Sequence, residues 1–423
     1  MRQWMVAAKK ADFYAIAEKF HVDPVVARII RNREVIGEKN IRIYLGGNLS
    51  DLSDPHQMKD MDRLVEILAQ KIRKQVHIRI IGDYDVDGVT SSHLFLTALR
   101  RVGAKVDVVI PHRIQDGYGL SLHLLQQAKE DGVDTILTCD NGIAAIDEIA
   151  WAKAQKMTVL VTDHHAVPFE EHEGRRTEKK SLADAVVNPH QQDCGYPYKE
   201  LCGAGVAWNV IRVLYENYDM DKREAEDLLD FVAMATVCDV MSLTGENRIL
   251  VKEGLKRIRH TKNIGLQALM QACNVQPENI SAYHFGYVLG PCVNATGRLD
   301  TARHALRLFE TGQETEAEEI ARDLVDLNQE RKELTLQGVE MAKKLCEEGG
   351  YENDPVLVLF LPDVHESIAG LIAGRIREMY NRPVFVLTRG EAGVKGSGRS
   401  TENYSMYENM CGCAELFTKF GGH

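Results

Sequence analysis

From residue 76 onward the chain alternates short apolar runs rich in β-branched residues with longer stretches whose apolar positions recur every three or four residues. HIRII at 77–81 precedes SSHLFLTALRRVGA, KVDVVIP at 105–111 precedes SLHLLQQAKEDG, and DTILTCD at 134–140 precedes AAIDEIAWAKAQ, which is followed by MTVLVTD at 157–163. Strand and helix in such alternation predict an α/β fold with a mostly parallel sheet covered on both faces, and ligands in such folds gather at the carboxyl ends of the strands. Residues 1–75 read as a helical, irregular segment with a helix period in 61–75, and a mainly helical region runs from about 203 to 311. The charged amphipathic stretch at 315–348, closed by Gly349 and Gly350, has few breakers and predicts one long connecting helix. DPVLVLFLP at 354–362, a helical 368–380 and PVFVLT at 383–388 then predict a second, smaller α/β unit. No internal repeat or low-complexity segment interrupts this order.

Length agrees with more than one domain, because 423 residues exceed the roughly 250–300 at which a single core stops growing. No run approaches the roughly 18 apolar residues of a membrane span, and the N-terminal MRQWMVAAKKADF lacks a signal-peptide apolar stretch, so a cytoplasmic protein with no membrane partner is expected. The nine cysteines are scattered, with only Cys411 and Cys413 close together, which fits neither a disulfide framework nor a zinc pattern. A net charge of −11 argues against a nucleic-acid partner in bulk. Carboxylates that serve as metal ligands weaken that inference, so local patches must decide.

Three of the four strands predicted in the first unit end in acids or histidines: Asp83, Asp85 and Asp87; then Cys139-Asp140-Asn141-Gly142; then Asp163-His164-His165. In a parallel sheet these ends share one edge, so residues some 80 positions apart converge. Carboxylates crowded into one cleft raise one another's pKa unless cations neutralise them. Carboxylate with imidazole suits Mn(II) or Mg(II), and two such ions about 3.5–4 Å apart can activate a water and clamp the oxygens of an in-line displacement at phosphorus. Taken singly, DxDxDG is also a calcium loop or polar turn, and Asp239 is an ordinary acid at the end of an apolar helical run. Together they favour a metal site with Asp239 as a further ligand. Asp83, Asp85 and Asp87 share a face only if their strand continues, and Gly88 predicts instead a loop in which the acids splay around a metal.

DYDVDG, CDNGI, TDHHAVP and VCDVMSLTGENR resemble, in order, the four motifs of the DHH phosphoesterase superfamily, and the match is close to its RecJ branch of single-stranded-DNA-specific exonucleases. Downstream, NATGRLDTARHAL, HESIAGLIAGRI, VKGSGRS and the terminal FGGH look like the RecJ middle segment and the DHH-associated domain. The resemblance covers roughly 76–423. Taken with the helical segment at 1–75, the helical region at 246–314 and the connecting helix at 315–349 read from the apolar pattern, it implies a DHH catalytic domain at 76–245 and an incomplete DHH-associated domain at 350–423. It also implies that Asp85, Asp87, Asp140, His164 and Asp239 bind two Mn(II) or Mg(II) ions, with Asp140 bridging them. Asp83 either coordinates or orients the loop, since other branches place a histidine where this chain has Ile81. Asp163 would hold a histidine ring, and His165 would face the scissile phosphate, making Asp140, His164 and His165 the catalytic group. Arg298, His365, Arg375, Lys395, Ser397, Arg399 and His423 would contact substrate phosphates, with KGSGRS resembling a phosphate-cradling glycine loop and Arg303 and Arg307 a solvated face.

The function so implied is metal-dependent 5′ to 3′ exonuclease action on single-stranded DNA in recombination and repair, by a monomer that meets other repair proteins. The alternatives are a DHH phosphodiesterase for short oligonucleotides or cyclic dinucleotides, and an inactive nucleic-acid-binding scaffold.

Overall fold

The computed structural model describes residues 9–113, 116, 119–172, 175–351, 354–390 and 393–418. The chain forms two compact units, Met1–Asn294 with Thr301–Arg322, and Ala295–Asp300 with Asp323–His423.

The first unit opens with helices α1 (Phe13–Phe20), α2 (Pro24–Asn32), α3 (Glu38–Gly46) and α4 (Met61–Arg73). Asp12 and Asp23 start α1 and α2 by accepting hydrogen bonds from the otherwise orphan amides of Ala15 and Val25. Strands β1 (Ile78–Ile81), β2 (Val106–Val109), β3 (Thr135–Cys139), β4 (Thr158–Thr162) and β7 (Ala185–Val187) form one sheet in the order β2-β1-β3-β4-β7. All its pairings are parallel. A hairpin of β5 (Phe169–His172) and β6 (Arg175–Glu178) stands apart from it. The crossover helices are α5 (Val86–Arg101), α6 (Leu122–Glu130) and α7 (Ile146–Ala154). Ile81, Ile136, Val159 and Val161 pack with Leu124, Leu125, Ala128, Ile149 and Ala152 of α6 and α7 into one core.

The other helices of this unit are α8 (Gly203–Asn217), α9 (Lys222–Glu226), α10 (Leu229–Cys238), α11 (Gly245–Arg257) and α12 (Ile264–Ala272). After them α13 (Ala282–His284) continues through a π-helical turn, Phe285–Leu289, into α14 (Gly290–Leu299), and α15 (Ala302–Glu310) follows. Helix α5 packs against α8, α10 and α15, which explains why its residues from Val86 to Leu96 are buried on every side.

The 36-residue α16 (Glu314–Gly349) carries the chain into the second unit, as the unbroken charged period predicted. There β8 (Leu357–Phe360), β9 (Val384–Gly390) and β10 (Gly393–Arg399) form a small sheet in the order β10-β9-β8, with α17 (Ala369–Tyr380) packed on it. Leu357, Leu359, Val384 and Val386 share a core with Ile372, Ile376, Val339 and Ala342. Among the described residues no helix is long and apolar enough to cross a membrane.

The structure corrects three local expectations. The loop expected around Gly88 is the first turn of α5, because Asp85 accepts the Gly88 amide at 3.0 Å and caps the helix. KGSGRS is not a phosphate-cradling loop but part of the antiparallel strand β10, paired with β9 from Gly393↔Gly390 to Arg399↔Val384. Its glycines answer to close neighbours, since a Cβ on Gly396 would fall 2.4 Å from Leu387 Cδ2. The fifth strand, β7, was not predicted, because three residues carry no periodic signal.

Candidate metal centre

The parallel register brings three strand ends level: Ile81 pairs with Thr138, and Cys139 with Thr162. Asn141 ties two of them together, its side-chain amide donating to Ile81 O at 3.0 Å and Cys139 O at 2.9 Å. Just before it Asp140 takes a left-handed conformation, φ +61°, which turns its carboxylate out of the strand path. The short polar side chain of Asp tolerates this more readily than a β-branched one.

Asp87, in the first turn of α5, is gripped by the start of α8: Gly203 N donates to its Oδ2 at 2.6 Å and Ala204 N to its Oδ1 at 2.8 Å. The start of this 15-residue helix is the positive end of its dipole, a favourable place for an acidic side chain. Position 203 must be glycine, because a Cβ there would lie 2.6 Å from Asp140 Cβ.

His164 Nε2 sits among carboxylates, 3.0 Å from Asp140 Oδ1, 3.7 Å from Asp87 Oδ2 and 3.7 Å from Asp239 Oδ2. Asp239 closes α10 as its C-cap. The ligand atoms of Asp83, Asp85 and Asp140 lie within 4.8 Å of one another, as do those of Asp87, His164 and Asp239, and those of Asp140, His164 and His165. The structure thus gathers at one sheet edge all six residues expected from sequence to bind metal.

Asp163 organises the histidines from beneath. Its Oδ1 accepts from the amides of His164 at 2.7 Å and His165 at 3.1 Å and faces His165 Nδ1 at 2.8 Å, while Oδ2 accepts from Ile143 N at 2.8 Å. The ring it holds is therefore that of His165. Burial favours the neutral acid, but the His165 hydrogen bond and charge with the Ile143 amide outweigh it and hold Asp163 below the usual carboxylate range. Burial likewise works against a charged His165, yet Asp163 and the charges of Asp239 and Asp87 push its pKa up to about 9. His164 moves the opposite way: burial lowers its pKa, and neutral imidazole is the form that binds a metal.

The acids themselves are electrostatically frustrated. Burial first, then the Asp87 and Asp85 charges, raise Asp239 to about 8, and the same causes carry Asp140 well above the carboxylate range. Asp83 is raised by burial and by Asp85, and Asp85 by burial and by Asp87. Asp83 Oδ1 and His164 Nε2 are buried with no hydrogen-bond partner among the described residues. Oxygen donors in excess, one imidazole, mutual repulsion and unsatisfied atoms aimed inward fit divalent cations such as Mn(II) or Mg(II).

Sequence reading passed over several residues of this site. Arg113 lies over the Tyr84 ring, 4.7 Å from its centroid, and its charge lowers Asp83 against the burial that raises it. Asn294 Oδ1 accepts the Val86 amide at 3.1 Å and so fixes the turn between Asp85 and Asp87. Tyr84 and Asn294 lie within the quoted stretches DYDVDG and NATGRLDTARHAL, but nothing local marks them, or Arg113, as supports of the acids.

In the second unit, five of the expected phosphate contacts cluster where α17 begins. Arg298 Nη1 donates to Ser367 O at 2.7 Å, and His365 Nδ1 lies 2.6 Å from Ser367 Oγ. A Cβ on Gly370 would meet Arg399 Nη2 and Ser397 Oγ, each at 2.8 Å. Lys395, one alternation earlier on β10, is engaged by Glu366 at 3.0 Å. Arg375 is an exposed position further along α17. Arg307 pairs with Glu316 on the surface. His423 lies outside the described residues.

Two family models match the chain, that of the DHH family N-terminal domain over 77–236 and that of the DHHA1 domain over 353–423. The single-stranded-DNA-specific exonuclease RecJ of Haemophilus influenzae is 35% identical over 418 residues, covering 95% of this chain and 70% of that protein. The chain is a RecJ-type member of the DHH family. RecJ of Bacillus subtilis is 33% identical, covering 97% of this chain and 50% of its own length. The RecJ fold also matches in three dimensions: RecJ of Thermus thermophilus, solved with Mn2+, superposes with a TM-score of 0.80 at 29% identity, over 97% of this chain and 57% of that one. A second exonuclease RecJ bound to manganese gives 0.73 at 32% identity, over 86% and 88%. The chain therefore spans 70% of the Haemophilus influenzae protein and half of the Bacillus subtilis one.

Proposed function

We propose that this chain is a metal-dependent exonuclease that hydrolyses phosphodiester bonds of single-stranded DNA from the 5′ end, in DNA recombination and repair. The observation that carries this reading is the position of His164 Nε2, within 4 Å of carboxylates drawn from β3, α5 and α10, in a RecJ-type chain. Asp83, Asp85, Asp87, Asp140, His164 and Asp239 would hold two Mn(II) or Mg(II) ions. Such a pair lowers the pKa of water and neutralises charge on the phosphorus oxygens.

The protein's own groups have separate tasks. Asp163 orients His165 by its contact with Nδ1, so that this ring faces the scissile phosphate beside the acids. The α8 amides fix Asp87, and Asn141 and Asn294 fix the turns that present Asp140 and Asp85. Arg298, Ser397, Arg399 and His365 supply donors for phosphate in the second unit, where an arginine can bind two oxygens at once. We place the activity in the cytoplasm, in a monomer whose macromolecular partners are single-stranded DNA and other repair proteins. Mn(II) with 5′-labelled and 3′-labelled single strands, duplex, a dinucleotide and a cyclic dinucleotide tests the proposal. Mononucleotide release from the 5′ end of long single strands supports it, and turnover confined to the dinucleotide or cyclic dinucleotide overturns it.

A further inference from the structure

Tyr283 and Tyr287 stack on one another on the surface of the first unit, with ring centroids 5.2 Å apart and planes 24° from parallel. They are 62% and 73% exposed, so core packing does not account for the pair. The segment beneath them is held by a cap of its own. Ser281 and the neighbouring His284 form a reciprocal cap, with Ser281 N donating to His284 Nδ1 at 3.1 Å, and the His284 ring meets Tyr283 edge-on at 5.7 Å. The π-helical turn at Phe285–Leu289 spans Tyr287, and such turns are frequent at functional sites.

The helical run that carries them is tied at two places to residues adjoining the candidate ligands. Cys238 Sγ donates to Phe285 O at 3.3 Å, and a Cβ on Gly290 would fall 2.3 Å from that sulfur. Cys238 directly precedes Asp239. Further on, Asn294 accepts the amide of Val86, the residue between Asp85 and Asp87. Val240, next after Asp239, adds an 87% exposed apolar side chain held at φ +59°, a conformation that a β-branched residue rarely adopts.

We propose that Tyr283 and Tyr287 form a stacking subsite for a nucleobase of the strand whose phosphate occupies the metal centre. The proposal rests on the function proposed above. Phosphate contacts do not distinguish single strands from duplex, whereas a base can lie on this pair only if its own face is free. Every base has such a face, so the subsite selects unpaired strands without reading sequence. A protein surface is the other chemistry that exposed tyrosines attract, and the test separates the two.

The test measures kcat and KM with Mn(II) for a single-stranded oligonucleotide and for a strand of the same length built of abasic residues. For the intact strand, Tyr283→Ala with Tyr287→Ala is expected to raise KM about tenfold with little change in kcat, the loss expected of one stacked base. For the abasic strand the same variant should match wild type, and Tyr283→Phe with Tyr287→Phe should retain wild-type KM on both. Because both side chains are exposed, thermal unfolding should not move. An Ala variant that matches wild type on the intact strand, or that loses equally on both strands, overturns the subsite and leaves the exonuclease reading standing. A wild-type protein that hydrolyses neither strand overturns that reading and the subsite with it.

Discussion

Replacing Gly203 by alanine tests how tightly the start of α8 is fitted to the acids. The added Cβ would lie 2.6 Å from Asp140 Cβ, 2.9 Å from its Cγ and 2.8 Å from its Oδ1, well inside van der Waals contact. Two movements relieve the clash. Asp140 can retreat, but its backbone is at φ +61° with its amide bonded to Thr162 O at 3.1 Å, and its carboxylate abuts His164. Alternatively α8 can lift, which stretches the 2.6 and 2.8 Å bonds to Asp87. Overpacking of this kind costs about 1–3 kcal/mol, and each lost hydrogen bond to a charged group roughly 1.5–3. Tm should therefore fall by several degrees. Either movement shifts a ligand by a sizeable fraction of an ångström, enough to cost on the order of 10²-fold in turnover. Gly374→Ala is the control: its Cβ meets nothing within 4 Å inside α17, so stability should rise by about 0.5–1 kcal/mol with turnover unchanged. Differential scanning fluorimetry, Mn(II) titration and end-labelled strand cleavage read the three quantities. A Gly203→Ala protein with wild-type Mn(II) affinity and turnover would refute the assigned packing of α8 on the metal centre.

Asp163→Asn keeps one acceptor oxygen but turns an NH2 toward Ile143 N; two buried donors then face each other, at about 1–3 kcal/mol apiece. Urea unfolding should show a loss of roughly 2–6 kcal/mol together with reduced kcat; an unchanged midpoint would contradict the role given to this carboxylate. His56 bridges Asp62 of α4 at 2.5 Å and Glu216 of α8 at 3.1 Å, and these bonds, Asp62 first, raise its pKa above the ordinary value. A raised folded pKa stabilises fully below about 6.5 and ceases to do so as pH climbs through the folded value. His56→Gln should therefore lower Tm more at about pH 5.5 than at about pH 8.5, and an equal or reversed deficit would contradict the pairing. Arg399→Ala should raise KM for single strands several-fold with kcat largely retained, measured by initial rates on labelled oligonucleotide.

The parallel sheet, the long α16 and the smaller second unit were legible because each has a sustained period: apolar runs in β1, β3 and β4, and 36 residues without a breaker in α16. The convergence of the acids and histidines at one sheet edge was legible for a related reason, since parallel topology brings strand ends together whatever their separation in sequence. Local geometry was less so. Gly88 was read as a turn, but a helix cap satisfied by Asp85 and a close approach to Asp83, whose Cα lies 2.5 Å from where a Cβ would be, require the same residue. KGSGRS was read as a loop because glycine signals both turns and tightly covered strands, and only the neighbour, here Leu387, tells them apart. Gly203, Asn294 and Arg113 act through contacts with residues 63, 208 and 30 positions away, namely Asp140, Val86 and Asp83, which no local pattern encodes.

Manganese bound per chain, measured by equilibrium dialysis for wild type and for Asp140→Asn, tests the central claim most directly. Two ions per wild-type chain and no more than one in the variant are expected, because Asp140 belongs to two of the three ligand groups and its Oδ1 lies 3.0 Å from His164 Nε2 of the third. A wild-type chain that binds no manganese, or a variant that still binds two with unchanged affinity, would contradict the assignment of this sheet edge as a two-metal centre.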